Sequence, residues 1–249
     1  MLYWLTMKCR SGCHHCMQDC KETDTDHATF ENTKAFVQFY KRLKINKLLI
    51  SGGEPTEHPD FEKHLLHILK NVGKKRVVIF PTNGMFLLDS EKQRAMEKLI
   101  YRHMNLFIRI TNIEGLYPFY ADVKEAWQRY HQRFCHQVSV VEQITGMAYI
   151  GRAKQNWSDV KRFGNYNRIA PRCFNLHSLS RVSDSFRDLM RTLTTKVENS
   201  WCAPSVMGAT GDIYAGESRF CTKIGNIADM GESALMHLKK NQPCGGCFV

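Results

Sequence analysis

The chain has 249 residues, 43% hydrophobic and 24% charged, a composition that excludes a disordered or collagen-like protein. There is no run of 18 apolar residues, and the opening MLYWLTMKC has no basic start, long apolar stretch or small-residue cleavage site, so neither a membrane span nor a secretory signal is expected and the expected location is cytoplasmic. Ten cysteines in such a chain point to metal rather than a disulfide framework, and a formal charge of +11 suits acidic partners such as a phosphorylated small molecule, an acidic peptide or RNA, though ordinary basicity explains it equally well.

The first 150 residues alternate strand-like and helix-like segments. LYWLTM (2–7) reads as a short apolar strand. ENTKAFVQFYKRLK (31–44) places Phe36, Val37, Tyr40 and Leu43 at helical spacing. KLLIS (47–51) is a buried strand ending in glycines. DFEKHLLHILKNV (60–72) repeats the helical pattern through Phe61, Leu65, Leu66, Ile68 and Leu69. RVVIF (76–80) is the next strand, SEKQRAMEKLIYRH (90–103) a helix with a serine cap, NLFIRI (105–110) a strand and FYADVKEAWQRYHQRF (119–134) a helix. QVSVVE (137–142) and GMAYIG (146–151) close the series. Short connections between alternating strands and helices predict a parallel α/β sheet or barrel.

In such folds sites form at the carboxyl ends of the strands. KCRSGCHHCMQDCK (8–21) follows the first strand, SGGEP the second, PTNG the third, TN the fourth and GRA the last. Every unusual motif therefore falls on one rim. Beyond Arg152 the pattern changes. Residues 152–172 hold six Lys or Arg against one Asp, interleaved with Trp157, Phe163 and Tyr166, and read as an irregular basic connection. The tail, 173–249, has weak periodicity and five of the ten cysteines. A small unit of this kind commonly needs a metal.

The cysteines at the first rim position are spaced Cys9-x3-Cys13-x2-Cys16. Three thiolates leave one iron of a four-iron cluster open. A structural zinc would need a fourth ligand from Cys20, His14 or His15, and spacing alone leaves both readings standing.

That spacing, followed in order by SGGEPTEHPDF (51–61), resembles the radical S-adenosylmethionine (SAM) superfamily over about residues 1–155. The resemblance implies an α/β fold, a partial (β/α)6 TIM-like barrel. It implies that Cys9, Cys13 and Cys16 bind a [4Fe-4S] cluster and that SAM chelates the fourth iron. Reductive cleavage then gives a 5′-deoxyadenosyl radical that abstracts a substrate hydrogen. It assigns Gly52, Gly53 and Glu54 to the methionine part of SAM. Thr82 and Asn83 in PTNG become SAM neighbours, and Thr111 and Asn112 lie where a ribose-contacting residue sits. Ile150 and Gly151 in MAYIGRA become the backbone that approaches adenine. One departure stands out. The residue before the third cysteine is usually aromatic in this family, and here it is His15, whose flat ring can stack in the same place.

The tail carries WCAPSVMGATGDIYAGESRFCTKIGNI (201–227) and PCGGC (243–247). TGDIYAGESRFC followed by GNI resembles the auxiliary-cluster segment of SPASM or shortened "twitch" domains. The resemblance implies a small C-terminal Cys-rich domain with a second [4Fe-4S] cluster on Cys202, Cys221, Cys244 and Cys247, although four-cysteine zinc fits the same count. Cys173 could replace Cys202, or serve as a substrate-side acid or thiol. The expected organisation is a core of 1–155, a basic linker of 156–172 and an auxiliary-cluster domain of 173–249.

The leading expectation is an oxidoreductase or maturase. It would oxidise or cross-link an unactivated C–H bond of a peptide or a small substrate, phosphorylated or not, with the auxiliary cluster as electron acceptor. It would need an electron donor such as flavodoxin or ferredoxin. Peptide-modifying members often carry a leader-binding domain, and since this sequence opens on its first strand, such a domain would be a separate protein. The alternatives are a zinc-bound nucleic-acid module without catalysis, which has no need of the ordered rim motifs, and a glycyl-radical activase.

Overall fold

The structure is a computed structural model, and it describes residues 1–42, 45–142, 146–148, 151–162, 167–169, 205–214, 216, 218–221 and 223–228. Its centre is a run of parallel strands: β1 (Leu2–Thr6), β2 (Lys47–Gly52), β3 (Val77–Thr82), β4 (Leu106–Thr111) and β5 (Val138–Val141). All five residues of β1 are buried, as expected for a central parallel strand covered on both of its own faces. The crossovers contain α1 (Phe30–Arg42), α2 (Phe61–Asn71), α3 (Ser90–Arg102) and α4 (Tyr120–Arg133). Phe36, Val37 and Tyr40 of α1 and Phe61, Leu65, Ile68 and Leu69 of α2 are buried, as their spacing requires. Leu43 lies outside the described residues. The cap of α3 is Asp89 rather than Ser90: its carboxylate accepts from the Glu91 and Lys92 amides at 3.0 and 3.2 Å.

Strand alternation divides the sheet into two faces. Tyr3, Leu5, Ile50, Phe80, Ile108 and Ile110 join the helices in one large core. Leu2, Trp4, Leu49, Ser51, Pro81 and Thr111 occupy the other face. There Leu2, Trp4, Met7, Cys20 and Met207 form a smaller cluster near β1, while Leu49, Ser51, Pro81 and Thr111 are only half-buried. The four helices leave this second face open.

Two expectations are corrected. First, the last strand of the series does not join the main sheet. β6 (Gly146–Ala148) pairs in parallel with β7 (Asn167–Ile169) in a separate ribbon. Second, the irregular basic connection contains structure. α5 (Arg152–Gln155) and α6 (Trp157–Arg162) bury Ala153, Trp157 and Val160 against Ile113 and Leu116. The charges on this stretch hid a short apolar stripe of helical spacing. From the tail, β8 (Ser205–Met207) pairs in parallel with the outer edge of β1. β9 (Asp212–Tyr214) and β10 (Lys223–Asn226) continue antiparallel, so the sheet order is β10-β9-β8-β1-β2-β3-β4-β5. Among the described residues no helix is long and apolar enough to cross a membrane.

Candidate functional site

The rim at the carboxyl ends of β1 to β4 encloses a cavity of about 400 Å3. Cys9, Cys13, Cys16 and His15 line it from the loop after β1, Gly52, Gly53 and Glu54 from the end of β2, Thr82 and Asn83 from β3, and Thr111 from β4. Residues far apart in the chain thus converge because parallel strands deliver their following loops to one edge.

The turn after β2 needs its glycine. Gly52 has φ +130° and a Cβ there would run into the Thr6 carbonyl. The Gly53 amide donates to Thr6 O at 2.7 Å and the Glu54 amide to Lys8 O at 2.9 Å, so the ends of β1 and β2 are stitched together where the cysteine loop departs. The glycines therefore first serve this backbone contact.

Glu54 is 1% exposed. Its Oε1 accepts from Thr56 N (3.2 Å), Thr56 Oγ1 (2.7 Å) and Thr82 Oγ1 (2.8 Å), and its Oε2 from Asn83 N (2.8 Å). Burial pushes its pKa up and these donors oppose the shift. Oε2, with one partner, keeps acceptor capacity at the cavity wall. Asn83 uses both ends of its amide: Oδ1 accepts from Met85 N at 2.9 Å and Nδ2 donates to Ser11 Oγ at 2.5 Å, tying the cysteine loop to β3. Thr111 reaches the cavity, but Asn112 does not line it. Asn112 is fully buried, with Nδ2 donating to Tyr120 O at 3.3 Å.

None of Cys9, Cys13 and Cys16 is in a disulfide. Burial above all, then the charge of Glu54, pushes the Cys9 thiol up to about 12. Burial and the neighbouring cysteines raise Cys13 as well. Cys16 moves down to about 6 because the Cys20 thiol donates a hydrogen bond to it, and the same bond, with burial, raises Cys20. Buried thiols raised as Cys9 and Cys13 are ionise readily only when a cation compensates them, and iron does so. Among the described residues no three Cys, His, Asp or Glu side chains suit a single metal ion. A four-iron cluster takes its thiolates on different irons and does not require that convergence. The donor set fits the cluster, with Cys20 behind Cys16.

His15 packs its ring edge-on to Tyr117 at 4.8 Å. Burial, then His14, lowers its pKa to about 4, so it is a neutral, flat wall of the cavity. His14 is exposed. Tyr117, Ser11, Met17 and Gln18 also line the cavity. Sequence reasoning missed them: Ser11, Met17 and Gln18 lie in the conspicuous cysteine loop but have no motif of their own, and Tyr117 lies in a connection with no signal at all.

Gly151 packs against the back of the cysteine loop rather than the cavity. Its φ is +61°, and a Cβ would collide with the Met17 carbonyl. Arg152 follows with its amide donating to Cys16 O at 2.9 Å. Its guanidinium donates to Asp19 Oδ1 (2.9 Å), Cys13 O (3.1 Å) and Cys20 O (2.6 Å). From the tail, Ser218 Oγ donates to Met17 O at 3.1 Å, and Arg219 donates through its amide to Gln18 Oε1 (2.9 Å) and through Nη2 to Asp19 O (2.8 Å). Cys221 is buried in the same turn, its amide donating to Ser218 O at 2.9 Å. Ile150, Cys173, Cys202, Cys244 and Cys247 lie outside the described residues.

An open parallel α/β sheet whose rim gathers three thiols, a glycine turn and a buried carboxylate around one cavity defines an enzyme built to hold a cluster and an adjoining small molecule. The chain belongs to the radical SAM superfamily, whose model matches residues 5–151, more than half of its length. It is an enzyme that uses a [4Fe-4S] cluster and SAM. The GTP 3′,8-cyclase of Aquifex aeolicus (strain VF5) is 28% identical over 114 residues, 44% of this chain and 35% of that protein. The probable GTP 3′,8-cyclase of Thermococcus kodakarensis (strain ATCC BAA-918 / JCM 12380 / KOD1) is 29% identical over 133 residues, 49% of this chain and 41% of that protein. The matched stretches thus span well under half of these curated relatives. In fold the chain is similar to native anSMEcpe with bound AdoMet (TM-score 0.54, 13% identity, 97% of this chain and 82% of that one). BtrN in complex with AdoMet and 2-DOIA is comparable (TM-score 0.55, 13% identity, 97% and 82%). Family membership sets aside the zinc-bound nucleic-acid module.

Proposed function

We propose that the protein cleaves SAM reductively and uses the radical to oxidise or cross-link an unactivated C–H bond of a small, phosphorylated substrate or a peptide. The observation that carries this reading is the convergence of Cys9, Cys13, Cys16, Glu54, Thr82 and Thr111 on one cavity. When bound, the cluster and SAM supply a 5′-deoxyadenosyl radical for hydrogen abstraction, and a second cluster supplies an electron acceptor. The chain's own residues would do the rest. Cys9, Cys13 and Cys16 hold the first cluster. Glu54 Oε2 accepts from the amino group of SAM, and His15 and Tyr117 wall the cavity against water. In the tail, Cys202, Cys221, Cys244 and Cys247 hold the second cluster. The relatives named for GTP support a phosphorylated substrate ahead of a peptide, and flavodoxin or ferredoxin would deliver the electron.

Anaerobic reconstitution with iron and sulfide, followed by dithionite and SAM, tests the reading. Iron and sulfide for two four-iron clusters and release of 5′-deoxyadenosine are expected. Zinc without SAM cleavage would sink it. The Cys244→Ala/Cys247→Ala variant should keep one cluster and at most uncoupled SAM cleavage. Normal product formation by that variant would refute the electron-acceptor role.

A further inference from the structure

The strand β4 reads LFIRIT. Leu106, Ile108 and Ile110 enter the core, so Phe107, Arg109 and Thr111 stand on the open face of the sheet. Arg109 is exposed there. Its partners in register are Pro81 on β3 and Ser139 on β5. Pro81 and Thr111 line the cavity, so Arg109 lies immediately below its wall. Apart from Lys47 at the foot of β2, every other open-face position of β1 to β5 is uncharged. Arg10, Arg129, Arg133, Arg152, Arg162 and Arg219 each pair with a carboxylate. Among the described residues no carboxylate pairs with Arg109.

We propose that Arg109 anchors an oxyanion of the substrate, a phosphate or a carboxylate, on the open face beside the SAM cavity. The inference rests on the proposed SAM chemistry and adds the substrate's charge and its direction of approach. A guanidinium presents a planar fork that matches either oxyanion with two parallel hydrogen bonds. A positive charge with no paired carboxylate beside it focuses potential on a bound anion. Ser139, exposed beside it, and Thr111 add hydroxyl donors on the same face. Two residue steps along the strand carry the backbone from Arg109 to Thr111, about 7 Å. Because Pro81, its neighbour in register, already lines the cavity, an anion held by Arg109 would leave the rest of a small substrate to extend toward the reacting centre.

The test uses the full chain, reconstituted and supplied with SAM, in equilibrium dialysis against inorganic diphosphate and citrate at physiological salt. Saturable binding of at least one is expected, and which one binds identifies the oxyanion. Arg109→Gln should weaken that binding about tenfold or more, and Arg109→Lys, which keeps the charge but loses the fork, should fall between. Arg129→Gln, which removes the same charge from exposed α4, should bind like the wild type. The inference is overturned if neither probe binds, if Arg109→Gln binds as the wild type does, or if Arg129→Gln is equally weakened. Should Arg109→Gln lose its iron, Arg109→Lys decides, since binding equal to the wild type would overturn the fork. The same wild-type preparation is assayed for 5′-deoxyadenosine. SAM cleavage without oxyanion binding sinks only Arg109, whereas Arg109-dependent binding without SAM cleavage sinks only the parent reading.

Discussion

Cys20 and Cys16 show how one contact separates two cysteines of the same short loop. The Cys20 thiol donates to Cys16 and is itself 2% exposed, away from the cavity lining. Cys20→Ser should therefore retain the first cluster's iron after anaerobic reconstitution and gel filtration, whereas Cys16→Ser should lose it. Equal loss in both would make Cys20 a ligand. From spacing alone Cys20 remained open as a fourth zinc ligand. Only packing shows which way its sulfur faces. Glu54 is a similar case. GGEP was legible as a motif, and Thr56 donates to its carboxylate from two residues on, but Thr82 and Asn83 donate from the end of β3, which sequence spacing cannot bring to Glu54.

At the level of elements, a column of histidines joins β1, α1 and α2. His64 Nδ1 meets the Thr33 hydroxyl at 2.7 Å, which also meets Tyr3 OH at 2.8 Å, and the His58 ring lies 4.4 Å away. Burial, then His58, lowers the His64 pKa from 6.5 to about 4, with Asp60 opposing and Lys63 and His67 adding slightly. Because the unfolded state binds the proton more tightly, stability rises with pH between about 4 and 6.5 and is lost as the pH falls through that window. Unscreened, a depression of this size would be worth about 3.4 kcal/mol, and solvent screening lowers that. Urea midpoints should fall between pH 6.5 and 4.5 in the wild type and fall less in His64→Asn. Parallel slopes for the two proteins would assign the effect elsewhere. The helices themselves were legible because apolar residues recur at 3.6-residue spacing. α5 and α6 were missed because six or fewer residues give too short a period to see among so many charges.

On the scale of the whole molecule, the cysteine loop is held from behind by two distant segments. Arg152 reaches Cys13 O, Cys20 O and Asp19, and Arg219 reaches Asp19 O and Asp24. A hydrogen bond to a charged group contributes about 1.5–3 kcal/mol. Arg152→Ala should therefore lower iron retention at the first cluster after reconstitution, and Arg219→Ala should lower it less. Full retention in Arg152→Ala would show that the loop holds its geometry without the guanidinium. Arg219 stands two residues from Cys221, so the turn proposed to carry an auxiliary ligand is physically tied to the first site.

By itself the sequence determined the strand–helix alternation, the rim on which its motifs fall and the family they mark, because these depend on local periodicity and short spacing. The tertiary structure decided the rest. It sent the last strand into a separate ribbon, set β8 beside β1 and turned Arg152 onto the cysteine loop. It also left Arg109 on the open face next to the cavity. Each of these depends on which strand neighbours which and which way a side chain points across the pleat. Those relations are set by hydrogen bonding and burial between segments far apart in the chain.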